Sequence, residues 1–236
     1  MELLSTWKDI VDLIPQLWDK DTRELISAKS KQDLLVAIVA ADHQIRAELS
    51  GVYNDMTGIA TWYKPPVNDP GNHNSASCLL PNLTLGTGLK TEVITLTFNS
   101  ASSFIAFGDF SGPLGSGSKS STFSCSTLSI PASAWYGTHS SGDIVYIRTY
   151  LSDPRICDAA SAPLAAANVL DSIYTDQIPN SLDTSNKFRQ QAIGFLKRLN
   201  AQAAGLEKPA IAVDLTPEKI DYNVNEAGFD ISEYQE

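Results

Sequence analysis

Gly112-Pro113-Leu114-Gly115-Ser116-Gly117-Ser118-Lys119-Ser120 carries the residue types of a phosphate-cradling loop, in which backbone N–H groups wrap an oxyanion and a lysine supplies charge. The chemistry needs the lysine directly after the last glycine and a helix directly after that. Here Ser118 intervenes and strand-like sequence follows, so the stretch reads as a turn, the most flexible-looking loop of its region. Gly86-Thr87-Gly88 lacks the third glycine and the strand-to-helix setting of a dinucleotide site. His43, His73 and His139 fall on a helix, a Pro-rich loop and a turn, with no pair at metal-ligand spacing. Cys78, Cys125 and Cys157 are far apart, lack a C-x-x-C spacing and read as free thiols. A Ser-His-Asp site could assemble in space from distant serines, since triads are set by geometry, but no spacing selects one. No catalytic, cofactor or metal residue is assigned, and a non-enzyme is expected.

Elements that could position side chains are clearer. Ser30 and Asp33 open a helix whose stripe of Leu34, Leu35, Ile38, Ala41, Ile45 and Leu49 recurs every three or four residues and stops at Gly51. Its outer face is expected to carry Asp42, Arg46 and Glu48 into solvent. Ser5 or Thr6 caps an earlier short helix with Trp7, Ile10, Val11 and Ile14, ended near Pro15. Helical periodicity returns only near Pro163, with Leu164, Ala167, Leu170, Ile173 and Tyr174. Asp183 or Thr184 then caps a third long helix bearing Phe188, Ala192, Phe195, Leu196 and Leu199, stopped by Gly205 and Pro209. A basic group on it comprises Lys187, Arg189, Lys197 and Arg198.

Between these helices the pattern has period two. Glu92 to Phe98, Ser103 to Phe107, Ser121 to Ile130 and Ile144 to Leu151 read as strands, with turns at 99–102 and 141–143. Residues 64–82 read as a long excursion. The expected fold class is α+β. A helical bundle of residues 1–51 and 158–205 is interrupted by an antiparallel sandwich or barrel-like insertion, 52–157, and followed by an extended arm, 206–236. That arm holds eight acids against two lysines, contributing −6 of the formal charge of −10. Ile220, Tyr222, Phe229, Ile231 and Tyr234 distinguish it from a purely solvating tail and suggest that it orders on a neighbour.

The acidic balance disfavours broad attraction to nucleic acid, which depends on basic patches. No run is long and apolar enough for a membrane span, and the acidic start is unlike a signal peptide, so a cytoplasmic product is expected. A glycan- or protein-binding module, gripping through Trp62, Trp135 and Tyr136, is the alternative.

Ala41-Asp42 through Ile45 and Leu49 to Tyr53, together with Phe188-Arg189-Gln190-Gln191-Ala192-Ile193-Gly194-Phe195-Leu196, resemble the helices of tailed-bacteriophage head-to-tail connector (adaptor) proteins. The resemblance spans roughly residues 6–53 and 159–205. It implies a structural virion protein of the neck, made in the host cytoplasm and needing no cofactor. It implies a homo-oligomeric ring, commonly twelve-fold, joining the portal to neck and tail proteins. DNA passes through such a ring without sequence-specific binding. Asp42, Arg46, Glu48, the four basic residues and the arm's apolar residues become expected subunit or partner contacts. The β segment departs from a minimal connector.

Overall fold

Two capping boxes set the first helices. Thr6 precedes α1 (Trp7–Leu13), with its backbone N–H donating to Asp9 Oδ2 at 2.8 Å. Ser30 precedes α2 (Lys31–Leu49), with Asp33 N–H donating to Ser30 Oγ at 3.3 Å and Ser30 N–H donating to Asp33 Oδ2 at 2.7 Å. Each box satisfies N–H groups that a helix start leaves without partners. A 3-10 turn, Pro15–Leu17, and a small ribbon of β1 (Trp18–Asp19) and β2 (Glu24–Leu25) join them. This computed structural model describes residues 3–19, 21–25, 30–50, 57–73, 78–79, 81–172 and 181–203.

Ten further strands follow among the described residues: β3 (Thr57–Asn68), β4 (Cys78–Leu79), β5 (Thr84–Leu85), β6 (Glu92–Phe98), β7 (Ser103–Gly108), β8 (Gly112–Ser118), β9 (Phe123–Ser124), β10 (Leu128–Ile130), β11 (Trp135–Tyr136) and β12 (Ile144–Ser152). The main sheet has the order β3-β12-β6-β7-β8, a smaller one β5-β10-β9, and β11 pairs with β4, all antiparallel. The fold is α+β, and none of these sheets closes into a barrel. The chain then returns to helix through α3 (Pro154–Ile156), a π turn at Cys157–Ser161, α4 (Ala162–Ser172) and α5 (Ser181–Ala203).

Alternation on β6 divides the interior. Ile94, Leu96 and Phe98 join Phe104, Ala106, Val145 and Ile147 in a core shared with Phe123, Leu128 and Ile130 of the smaller sheet. On the opposite face, Val93 and Tyr146 belong to a second core built by α1, α2, α4 and α5. Helix α4 packs against both α2 and α5, so segments before and after the β region meet. Ala165, Ala166 and Ala167 are fully buried there, small enough to admit a neighbouring backbone closely.

Several expectations change. Residues 64–68 belong to β3 despite Pro65 and Pro66, because β3 is a sheet edge and a register shift opposite Tyr146 and Arg148 absorbs the prolines. Residues 112–118 are a paired strand rather than a loop. Gly112 and Gly115 take positive φ, and a bulge lies opposite Ala106 and Phe107. The return to helix begins before Pro163, at Pro154. Helix α5 begins at Ser181, placing Asp183 in its first turn rather than at its cap. Gly51, Ile173, Tyr174, Gly205, Pro209 and the arm 206–236 lie outside the described residues, as do the side chains of Cys78 and Leu79.

Candidate functional site

The densest group of charges lies where α1 meets the main sheet. Asp9, its side chain 1% exposed, accepts from Lys64 Nζ at 2.7 Å, Arg148 Nη1 at 3.3 Å and Tyr150 Oη at 2.8 Å. The strand period places Arg148 and Tyr150 on the same face of β12, and the cap of α1 points Asp9 at them. Arg148 also pairs with Asp12, and Lys64 with Asp158 at 2.6 Å. Trp62 stacks on Tyr150 with ring centroids 4.1 Å apart, and its Nε1 donates to Ser152 O. Burial pushes the Asp9 carboxyl up, but Lys64 and Arg148 outweigh it and hold the group below the ordinary carboxylate range. The nearby Cys157 thiol is pushed well up by burial, with Asp9 adding to the effect, so it stays protonated and unreactive. Asp9, Lys64 and the Arg148 Nη1 each face a partner, whereas Arg148 Nε is buried without one. The arrangement fastens helix to sheet and leaves no acid or base poised for transfer.

Asp42 occupies the second buried position, and this corrects the expected solvated face. The group is fully buried; it accepts from Leu4 N–H at 2.8 Å and from Ser161 Oγ at 2.7 Å, while Ser161 Oγ also meets Ser5 Oγ at 2.7 Å. Its place between Ile38 and Ile45 on the apolar stripe explains the burial, and it is not available as a subunit contact. Burial raises its pKa to about 6, with Ser161 and Leu4 opposing. A folded pKa above the unfolded one means that the contribution of Asp42 to stability is fully present below about pH 4 and is lost as pH rises to about 6, a change of roughly 3 kcal/mol. Asp42→Asn can keep both hydrogen bonds, because the Ser161–Ser5 pair can reverse its donors. The variant should therefore flatten this window, seen as a constant difference from the parent above pH 6 that disappears near pH 4 in urea unfolding. A parallel pH profile in the two proteins would contradict the assignment.

The other expected contacts divide between sites. Arg46 is half-buried and Glu48 exposed on α2. Asn200 Nδ2 donates to Glu48 O at 2.9 Å, bringing the C-terminal ends of α2 and α5 together near Lys197 and Arg198. Lys187 is exposed about three turns earlier, and Arg189 is held by Asp171 at 2.5 Å. The structure thus brings together the helix ends that carry Glu48, Lys197 and Arg198 and leaves Lys187 and Arg189 farther back along α5. Ile220, Tyr222, Phe229, Ile231 and Tyr234 lie outside the described residues.

Trp62, Trp135 and Tyr136 form no common platform. Trp62 turns to the helical side of the sheet against Tyr150, whereas Trp135 sits in the opposite core, edge-on to Phe98. His73 Nδ1 lies 3.0 Å from Asp143 Oδ1, but that carboxylate also accepts the backbone N–H groups of His73 and Ser140. The pair closes a turn, and no described serine hydroxyl is hydrogen-bonded to it. No group of three or more His, Cys, Asp or Glu residues among those described could hold a metal ion, and no described helix is long and apolar enough to cross a membrane.

One surface escaped sequence reading. The helices cover β12 and the start of β6 but leave the same sheet face open over β7. There Ile105 and Phe107 are 52% and 48% exposed, and Phe110 in the following turn is 46% exposed. The signal lay in Ser-Phe-Ile-Ala-Phe, where both alternating rows contain apolar residues: Phe104 and Ala106 face inward, Ile105 and Phe107 outward. Such a strand expects cover on both faces. A second open feature is a groove of about 690 Å³ beside β8, lined by Phe104, Leu114, Phe123 and a run of serines.

No family model matches this chain, and no curated protein matches it. Among solved structures, two crystal forms of FlgL from Xanthomonas campestris overlay on 64% of this chain at 12% and 11% identity. The TM-scores are 0.31 and 0.30, and the chain spans about half the length of that protein, 49% and 48% in the two forms. An overlay this loose carries no functional argument.

Proposed function

We propose that this chain is a structural subunit of a homo-oligomeric ring, serving as a head-to-tail connector in a phage neck, as the resemblance of its helices to connector proteins implies. In this reading, residues 1–51 and 158–205 form the ring-building helical domain, 52–157 an inserted β domain, and 206–236 a partner-binding arm. The ring joins portal to tail proteins, and DNA passes through it unread. Arg46, Glu48, Lys187, Arg189, Lys197 and Arg198 are its polar subunit contacts.

The observation that carries an assembly role is the open apolar half of the main sheet at Ile105, Phe107 and Phe110. Large apolar groups left exposed on a sheet whose other half is covered by helices favour a surface that another molecule buries. The Asp9 carboxylate is tied to Lys64 and Arg148, and Asp42 is fully buried. Replacing Ile105 and Phe107 together by aspartate should weaken self-association at least about tenfold in sedimentation velocity while leaving far-UV circular dichroism and Tm close to the parent. Unchanged association by the folded double variant would reject this surface as an interface.

A further inference from the structure

We propose that the free edge of β8 accepts an added strand, Lys219–Asn225 from the arm of a neighbouring copy. The neighbour's identity rests on the assembly reading above; the acceptor rests on the described structure. β8 is the last strand of the main sheet and β9 the last of the smaller one, and the groove lies between these edges. An edge strand presents alternate N–H and C=O groups that no sheet partner takes up. The groove has two textures. Phe104, Leu114 and Phe123 make an apolar floor, while Ser116 and Ser118 pair with Ile105 and Ser103 in the row of β8 that faces away from it. It therefore suits an extended segment with one apolar and one polar row, the pairing of backbone hydrogen bonds with alternate side-chain pockets seen in strand addition.

The chain carries such a segment. Lys219-Ile220-Asp221-Tyr222-Asn223-Val224-Asn225 alternates strictly, with Ile220, Tyr222 and Val224 in one row, and it equals β8 in length. The arm starts beyond Ala203, at the C-terminal end of α2, where Asn200 meets Glu48. The other end of α2, about 28 Å away, begins beside Asp109 in the β7–β8 turn, through Lys31 at 3.9 Å. The groove lies a strand's length beyond that turn. Arm origin and groove are thus on different parts of the subunit, the placement that a head-to-tail neighbour brings together. Residues 204–218 can bridge up to about 50 Å when extended.

The test uses the full chain with Cys78, Cys125 and Cys157 replaced by alanine. Ser116→Cys protein is mixed with protein carrying Asp221→Cys, Asn223→Cys or Asn225→Cys and oxidised mildly. These positions fall in the row facing away from the floor, beside Ser116. The expected result is an interchain disulfide favouring one register over the other two by at least fivefold, abolished when Ile220 and Val224 are changed to aspartate. Rings that form without a cross-link at any register would overturn strand addition while leaving the assembly reading intact. A double variant that closes only within its own chain would overturn the neighbour as donor. Absence of both rings and cross-links would overturn both.

Discussion

Asp9→Ala should be among the most damaging single substitutions in the protein, costing about 3–5 kcal/mol in equilibrium unfolding. The carboxylate is buried and accepts from Lys64, Arg148 and Tyr150 at once. Its removal leaves two cations and a hydroxyl with a desolvation cost that is no longer offset. Asp12 and Asp158 still face Arg148 and Lys64, but these carboxylates are 44% and 55% exposed, so solvent screening limits their compensation. Asp9 also completes the cap of α1, whose loss alone costs about 1 kcal/mol. Replacing Asp9, Lys64 and Arg148 together by apolar residues of similar volume should recover much of the loss, because the unpaired charge causes the damage. If Asp9→Ala unfolds within 1 kcal/mol of the parent, the cluster does not fasten helix to sheet.

Trp7→Ala should cost about 3–5 kcal/mol by a different route, the cavity left by a large core side chain. Trp7 stacks on Trp18 at 5.7 Å, meets Tyr146 edge-on at 5.9 Å, and carries Lys31 Nζ 4.4 Å over its ring. Its Nε1 donates to Asp109 at 2.5 Å, fixing the β7–β8 turn to α1. Burial already pushes the Asp109 carboxyl above its usual range, with Lys31 and Trp7 opposing. Trp7→Phe, which keeps most of the packing but drops the donor, should cost roughly 1–3 kcal/mol and raise the Asp109 pKa further. Calorimetry and carboxylate NMR titration of the two variants separate these contributions. Equal losses in both would mean that the ring volume contributes little.

The same physics decides which features are legible in the chain. Ser30 with Asp33 is a local device, and the helix it starts lies where the pattern puts it. β6 and β12 are legible because their apolar residues meet the two cores, and β7 because Phe104 and Ala106 meet one of them. β3 is hidden by Pro65 and Pro66, which only an edge strand tolerates, and edge position is set by distant pairing with β12. β8 is hidden by glycines that a turn would use equally well. Asp42 lies in register with Ile38 and Ile45, so periodicity alone marks its burial; its acidic type misleads, because the Leu4 N–H and Ser161 hydroxyl that satisfy it come from far along the chain. Asp9, Lys64 and Arg148 share no local motif and meet only when α1 docks on the sheet.

Ring closure by the full chain is the most direct consequence of the proposed function. Under the proposed function, negative-stain electron microscopy of the purified protein, alone and mixed with a tailed-phage portal protein, should give annular class averages of one subunit number. The Ile105→Asp, Phe107→Asp double variant should give none. Parent protein that stays monomeric under both conditions would contradict the central claim.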